Sequence, residues 1–271
     1  MTCAINTPID SPRPLVGTSK IAVSGFTCTT LVASPDKLVN HPTTGRTSAL
    51  SVWTYWFGAF VVANVLSIFV LSICGSNVDP VPTWVVSVGA ISLWCGYLAM
   101  TLRYLHVDLR GLARRVQMSI TAHDLVVGIP LGIASQLILV NAVNWPLTRL
   151  FPNVFSFDEI SRRASDLVDN AHGGWVVALI VIVVVGAPVI EEMVYRGVVQ
   201  PGLIDAWGAR AGITTTAVLF AAVHMQPIEF PGLFAFALVL GMARYRSDRL
   251  GISIVAHMAF NTTGLVLVML T

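Results

Sequence analysis

Long apolar segments recur along the chain, and they restrict its fold more than any other feature. A helix needs about 20 mostly apolar residues to cross a bilayer, and only helices or closed barrels satisfy their own backbone hydrogen bonds in hydrocarbon. Residues 51–74 and 84–102 meet this length. Only 11% of all residues are charged, compared with about a quarter in soluble domains. The pattern predicts an all-α, polytopic transmembrane helical bundle.

Five further apolar segments follow these two spans. Residues 125–143 are long enough to cross the membrane but contain Pro130, Gln136 and Asn141, so one side of this helix is expected to pack against protein. An amphipathic segment at 153–170 is expected to lie at the membrane interface, and an additional span hidden there would raise the number of helices to eight. Otherwise the sequence predicts about seven membrane helices, since the remaining candidate spans are 175–190, 213–224, 233–243 and 252–270.

The termini and loops predict the organisation and orientation of the chain. Residues 1–49 are rich in Ser, Thr and Pro and are predicted to be a disordered cytoplasmic tail, followed by a transmembrane helical domain at 50–271. Short loops that retain Lys and Arg usually face the cytoplasm. We therefore predict a multi-pass protein of the cell membrane with a cytoplasmic N-terminus, because basic residues precede the first span, follow the second and follow the sixth, namely Arg13, Lys20, Lys37, Arg46, Arg103, Arg110, Arg114, Arg115, Arg244, Arg246 and Arg249.

The charge pattern also restricts the partners of the chain. The formal net charge is only +2, and the sequence has no run of Lys and Arg interleaved with aromatic residues, which a nucleic-acid groove requires. No nucleic-acid partner is expected. The lipid bilayer is the expected surrounding of the helices.

Ionisable residues inside apolar segments are costly, so each one is a candidate functional residue. The first group, Glu191, Glu192 and Arg196, ends the fourth predicted span. Glu192 and Arg196 are four residues apart with the acid on the N-terminal side, the favourable order for an ion pair on one helix face. Glu191 is rotated by about 100° from Glu192 and is predicted to lie outside this pair. The alternative is that both acids only mark the cytoplasmic end of a helix.

Two later segments carry imidazole groups. Phe220 and His224 share a face of the fifth predicted span, and His257 and Asn261 lie one turn apart on the last. Taken alone, His224 is typical of an interfacial or helix-packing residue. His257 and Asn261 are equally compatible with a structural hydrogen bond between helices, because buried imidazole and amide groups need partners.

Together these groups provide the chemistry for amide hydrolysis. A sparsely hydrated carboxylate such as Glu191 is a candidate general base for a water molecule held with His224. His257 and Asn261 are then candidate donors to the developing oxyanion, a role worth about 3 kcal/mol per donor in known enzymes. The expected substrate is a peptide or protein associated with the membrane.

The order Glu-Glu-x-x-x-Arg, Phe-x-x-x-His and His-x-x-x-Asn resembles the motif set of the CPBP family (CAAX protease and bacteriocin-processing, Abi-type). These intramembrane proteases include the type II CAAX-processing endopeptidases. The resemblance covers roughly residues 124–271 and defines a protease-like core. It implies that Glu191 is the general base, that His224 helps to hold the water, and that His257 and Asn261 form the oxyanion site.

The resemblance also implies roles for the remaining motif residues. Glu192 and Arg196 correspond to the family's supporting pair, and Phe220 belongs to the second motif. The family was formerly classed as metalloproteases, and the resemblance implies glutamate-dependent hydrolysis without a metal or other cofactor.

Zinc is the alternative to a metal-free mechanism. Glu191, His224 and His257 are residue types that ligate zinc. The sequence has no His-Glu-x-x-His helix, the motif with which many zinc proteases hold their metal. This absence favours the metal-free mechanism.

Two non-catalytic functions are alternatives to proteolysis. A proton-coupled transporter would use the carboxylates for proton movement, so its flux would depend on Glu191 and on the proton gradient. A membrane scaffold would depend on the helices rather than on His224 and His257. The two halves of the chain show no internal repeat symmetry, which argues against a transporter made of inverted repeats.

Overall fold

The described part of the chain is helical almost throughout. The computed structural model describes residues 48–74 and 81–270, and within these ranges it contains no strand. The predicted all-α fold class is therefore confirmed. The helices of the described ranges are α1 (Ala49–Cys74), α2 (Thr83–Leu105), α3 (Leu109–Arg115), α4 (Ala122–Leu150), α5 (Phe157–Asp169), α6 (Gly174–Trp207), α7 (Ala209–Ala222), α8 (Phe230–Ser247) and α9 (Gly251–Leu270).

Five of these helices are long and apolar enough to cross a membrane, namely α1, α2, α4, α6 and α9. The predicted spans at 213–224 and 233–243 correspond to α7 and α8, which are helical but do not meet the same length and hydropathy limits. The chain is thus a multi-pass membrane protein, and the predicted total of seven or eight spans is not confirmed. The predicted tail lies outside the described residues, except for Ser48 and Ala49.

The amphipathic segment predicted at 153–170 contains α5, a helix of 13 residues. It ends before Asn170, whose backbone carbonyl accepts a hydrogen bond of 2.9 Å from Thr83 Oγ1 at the start of α2. This contact joins the C-terminal end of α5 to the N-terminal end of α2.

Helices α1 and α2 form a closely packed pair. Gly96 of α2 faces the backbone of Ala63, where an added Cβ atom would lie 3.0 Å from the Ala63 Cβ atom. Tyr55 and Thr101 share a buried hydrogen bond of 2.7 Å between the two helices. The opposite side of α1 exposes large apolar residues such as Phe69, which is 61% exposed, and this surface is the one expected to contact lipid acyl chains.

Helix α6 is longer than a bilayer core requires. Its 34 residues span about 51 Å at 1.5 Å per residue, whereas the hydrocarbon core is about 30 Å thick. Two segments of wider, π-helical turns interrupt it, at Val181–Gly186 and at Tyr195–Val199. The helix that carries Glu191 continues past Pro201 and ends at Trp207. Such bulges are frequent at functional sites, and these two flank the Glu-Glu motif.

Helices α4 and α9 pack backbone to backbone. Gly128 and Gly132 of α4 are four residues apart, and an added Cβ atom at Gly132 would collide with the carbonyl oxygen of Ala256. At Gly128 it would lie 2.8 Å from Val255. Small residues at this spacing let membrane helices approach closely. Because His257 follows Ala256 directly, this contact fixes the depth and rotation of His257 in the bundle.

Polar contacts join the loops at one end of the bundle. Arg249 pairs with the buried carboxylate of Asp124 and contacts the hydroxyl of Thr121. The backbone N–H of Leu250 donates to the carbonyl of Gln117 at 3.3 Å, and Arg244 Nη2 donates to the Gln117 side chain at 3.3 Å. The segment between α3 and α4 therefore holds the turn between α8 and α9.

Candidate active site

The Glu-Glu motif places two adjacent acids in different surroundings. The Glu192 side chain is fully buried, whereas that of Glu191 is 28% exposed. Arg196 Nη1 donates to Glu192 Oε1 at 3.0 Å, and both side chains are inaccessible to solvent. The predicted ion pair between Glu192 and Arg196 is confirmed. Glu191 lies outside this pair because it points away from it by about 100° on the helix.

Arg196 also connects α6 to two other helices. Its Nη2 atom donates to the carbonyl of Ala237 in α8 at 3.2 Å, and its Cζ atom lies 4.5 Å from the ring centroid of Phe220 in α7. One turn further along α6, Gln200 Nε2 donates to the carbonyl of Gly241 at 2.9 Å. Since a buried cation needs several partners, these contacts lock α6 against α7 and α8.

His257 lies between the two acids. Its Nδ1 atom is 2.9 Å from Glu192 Oε1, and its Nε2 atom is 3.8 Å from Glu191 Oε2. Glu192 is paired with Arg196 and therefore acts as an acceptor, so His257 Nδ1 carries the proton and donates it. This bond aims Nε2 toward Glu191. The rings of Phe220 and Phe236 lie with centroids 5.7 Å and 5.5 Å from the imidazole and restrict its rotation.

His224 lies just beyond the end of α7, which ends at Ala222. Its Nδ1 atom is 2.8 Å from the carbonyl oxygen of Phe220. Because a carbonyl can only accept, Nδ1 carries the proton and the Nε2 atom of neutral His224 is an acceptor. The ring centroids of Phe220 and His224 are 5.1 Å apart. Phe220 thus contacts the imidazole rings of both His224 and His257. It links His224 to the residues around His257.

Asn261 makes the structural hydrogen bond that the sequence left open as an alternative. Its Nδ2 atom donates to the carbonyl of Val183 at 2.8 Å. Val183 lies in the first π-helical segment of α6, where Ala187 N bonds to Ile182 O. In this register the Val183 carbonyl would accept from residue 188, which is a proline and has no N–H. Asn261 supplies the missing donor, and its amide has a second N–H for another acceptor.

The structure therefore brings the predicted residues together on one side of α6. Direct contacts link Glu191, Glu192, Arg196 and His257, while Phe220 connects this group to His224, and Asn261 follows His257 by one turn. In the described residues, no group of three or more His, Cys, Asp or Glu side chains is arranged to hold a metal ion.

Some residues next to the site were not predicted from the sequence. Tyr195 lies inside the Glu-Glu-x-x-x-Arg motif, is 2% exposed and contacts the Phe220 ring at a centroid distance of 5.4 Å. Tyr97 of α2 lines a cavity together with Glu191 and Tyr195. Gln200 follows Arg196 by four residues, as Arg196 follows Glu192, and this spacing indicates that the three residues share a helix face. No comparable signal in the sequence indicates Tyr97.

The comparisons with known proteins agree with this site. Residues 173–263 match the family model described as type II CAAX prenyl endopeptidase Rce1-like. No curated protein and no solved structure matches the chain. The matched segment contains all three motifs and confirms the resemblance to the CPBP family. It indicates a membrane CAAX-type endopeptidase, and it covers about a third of the chain, since α1 to α5 precede it.

Proposed function

Because residues 173–263 resemble the type II CAAX prenyl endopeptidases, we propose that the protein is an intramembrane endopeptidase whose catalytic base is Glu191. It hydrolyses a peptide bond of a membrane-associated peptide or protein. One observation carries the proposal. A partly exposed carboxylate lies 3.8 Å from the Nε2 atom of His257, whose other nitrogen is held by a buried ion pair.

The proposed reaction begins with a water molecule between Glu191 and His224. Glu191 accepts a proton as the water oxygen attacks the peptide carbonyl, and His224 Nε2 accepts a hydrogen bond that orients the water. Glu191 then transfers the proton to the amine that leaves. A carboxylate in a sparsely hydrated site is suited to this role because few water molecules compete for its lone pairs.

The proposed oxyanion site consists of His257 and Asn261. In its protonated form His257 donates from both nitrogens, with Nδ1 bonded to Glu192 and Nε2 free to reach the carbonyl oxygen. The second N–H of the Asn261 amide supplies the other hydrogen bond. Donors that are fixed before the reaction stabilise the transition state most effectively. Glu192, Arg196 and Phe220 are proposed to act through His257 by holding its ring.

The family match supports a proposal for the substrate class. We propose a peptide with a C-terminal CAAX-type sequence as the first substrate to test, because the matched family is described as prenyl endopeptidases. The experiment uses purified protein in proteoliposomes and an internally quenched CAAX peptide, with and without a farnesyl group on its cysteine. Hydrolysis by wild type and its loss in Glu191→Gln would support the proposal. Equal hydrolysis by both proteins would refute it.

We propose that the hydrolysis needs no metal cofactor. In the described ranges, no group of three or more His, Cys, Asp or Glu side chains is placed to hold a metal ion. Hydrolysis of the CAAX peptide should therefore be unchanged after incubation with 1,10-phenanthroline or EDTA. The rate is compared with that of a zinc protease treated in parallel. A loss that added zinc restores would contradict the metal-free mechanism.

We also propose that the end of the bundle formed by the α3–α4 segment and the α8–α9 turn faces the cytoplasm. Contacts of Arg244 and Arg249 with Gln117 and Asp124 place the basic segments of α3 and α8 at one end. The helix α1 begins at the same end, since Ser51 Oγ lies 3.5 Å from Tyr104 Oη near the end of α2. Loops rich in Arg are retained in the cytoplasm.

This orientation predicts the labelling of introduced cysteines in intact cells. Arg115 and Asp166 are both exposed. Arg115 ends α3, which follows the C-terminal end of α2, whereas Asp166 lies near Thr83 at the N-terminal end of α2. A membrane-impermeant maleimide should label Asp166→Cys in intact cells but label Arg115→Cys only after permeabilisation. The reverse pattern would contradict the proposed orientation. The background for both variants replaces the native cysteines Cys3, Cys28, Cys74 and Cys95 with Ser.

A further inference from the structure

A small cavity lies beside Glu191 on the side that faces α2. It has a volume of about 30 Å³ and is lined by Leu93, Trp94 and Tyr97 of α2 and by residues of α6 that include Glu191 and Tyr195. A buried water molecule needs about 10–15 Å³ of such space. The cavity therefore has room for about two water molecules, which is too little for a large side chain.

Two buried polar atoms near this cavity lack good partners. Neither Tyr195 Oη nor Trp56 Nε1 makes a hydrogen bond of standard geometry to any described residue. The Tyr195 side chain lines the cavity together with Tyr97 and Glu191. Buried polar groups nearly always have a partner, which is often ordered water. The indole N–H of Trp56 can only donate, and the Tyr195 hydroxyl can both donate and accept, so a small partner such as water satisfies either group.

Trp94 of α2 forms part of the cavity wall. An added Cβ atom at Gly186 would collide with the Trp94 ring, so the indole lies directly on the first π-helical segment of α6. This contact keeps α2 next to the helix that carries Glu191. Helix α2 lies outside residues 173–263, the segment that matches the family.

We propose that this cavity stores the water that moves to the position between Glu191 and His224 before each hydrolysis, with Tyr97 and Tyr195 as positioning residues that bind the stored water through their hydroxyl groups. The inference rests on the proposed function, since each hydrolysed peptide bond consumes one water molecule. One water proton passes to Glu191 and then to the leaving amine, while the oxygen and the other proton remain with the new carboxyl group. His257 occupies another side of Glu191 at 3.8 Å. The cavity thus supplies Glu191 with water in surroundings where lipid supplies none.

Removing single hydroxyl groups tests the inference. Tyr97→Phe and Tyr195→Phe should each lower the kcat for the CAAX peptide roughly five- to tenfold, the effect of one lost hydrogen bond. KM should stay unchanged, because the cavity does not hold the substrate. The matched control is Tyr55→Phe, which removes a buried hydroxyl that bonds to Thr101 between α1 and α2. This control should keep the wild-type kcat.

A second variant fills the space without removing a hydroxyl. Leu93→Phe, a smaller increase in side-chain volume, should displace the water and lower kcat at least as much as Tyr195→Phe, while thermal unfolding in detergent shows that each variant remains folded. An experimental structure that resolves ordered water should place a water molecule within hydrogen-bond distance of Tyr195 Oη and Glu191. A dry cavity in that structure would overturn the inference.

The kinetic outcomes separate this inference from the proposed function. If Glu191→Gln is inactive and both Tyr→Phe variants keep the wild-type kcat, the water site is wrong and the protease function stands. If the Phe variants raise KM at constant kcat, the cavity binds part of the substrate, and the inference is overturned. If Glu191→Gln cleaves the peptide at the wild-type rate, the proposed function itself fails.

Discussion

Replacing Glu191 with Gln should lower the kcat for the CAAX peptide by about 10²- to 10⁴-fold, the usual contribution of a general base. Glutamine has nearly the same shape and can still hold a water molecule, but it cannot accept the proton. KM should change little, because the variant alters one atom of a side chain that is proposed to contact water. Initial rates in proteoliposomes across a range of peptide concentrations measure both constants.

The matched control for Glu191→Gln is Asp205→Asn. Asp205 lies on the same helix and is exposed to solvent, so its neutralisation removes one acid from α6 without touching the site. It should keep wild-type activity. Both variants should unfold at the wild-type temperature in detergent, since Glu191 is outside the buried ion pair. Wild-type cleavage by Glu191→Gln would refute Glu191 as the catalytic base.

The sequence predicts the membrane helices because their physical requirement is local. A segment such as 51–74 must be apolar over its whole length to lie in lipid, and α1 and α2 match the predicted spans to within a few residues. The number of crossings is harder to predict. Helices α7 and α8 are shorter or less apolar than a span that faces lipid, and burial against other helices removes the need for an unbroken apolar segment.

The candidate site is predicted where its contacts follow helix periodicity. The spacing of Glu192 and Arg196 predicts their ion pair, and the spacing of His257 and Asn261 predicts that they share a face. The sequence does not reveal that Asn261 bonds to Val183, because this contact depends on the π-helical register of α6 and on Pro188. The cavity next to Tyr97 depends on the packing of α2 against α6, and no sequence periodicity encodes a contact between helices so far apart in the chain.

The ion pair of Glu192 and Arg196 should dominate the stability of the site. Arg196→Met keeps most of the side-chain volume but leaves the buried Glu192 without its cation. Removing one partner of a buried pair typically costs about 3–5 kcal/mol of unfolding free energy. Denaturant unfolding in mixed micelles should show a loss of this size, whereas Arg210→Met, on an exposed Arg of α7, should change it by less than about 0.5 kcal/mol.

The double variant Glu192→Gln with Arg196→Met separates the stability of the pair from its proposed role at the site. Removing both charges should restore much of the lost stability, because no unpaired buried charge remains. The bond from Arg196 to the Ala237 carbonyl stays lost, so recovery should be incomplete. Activity should stay low, because His257 Nδ1 then faces a neutral amide and its ring is no longer aimed at Glu191 by a carboxylate. If the double variant recovers both stability and cleavage, then Glu192 does not position His257, and the proposed supporting role of the pair is wrong.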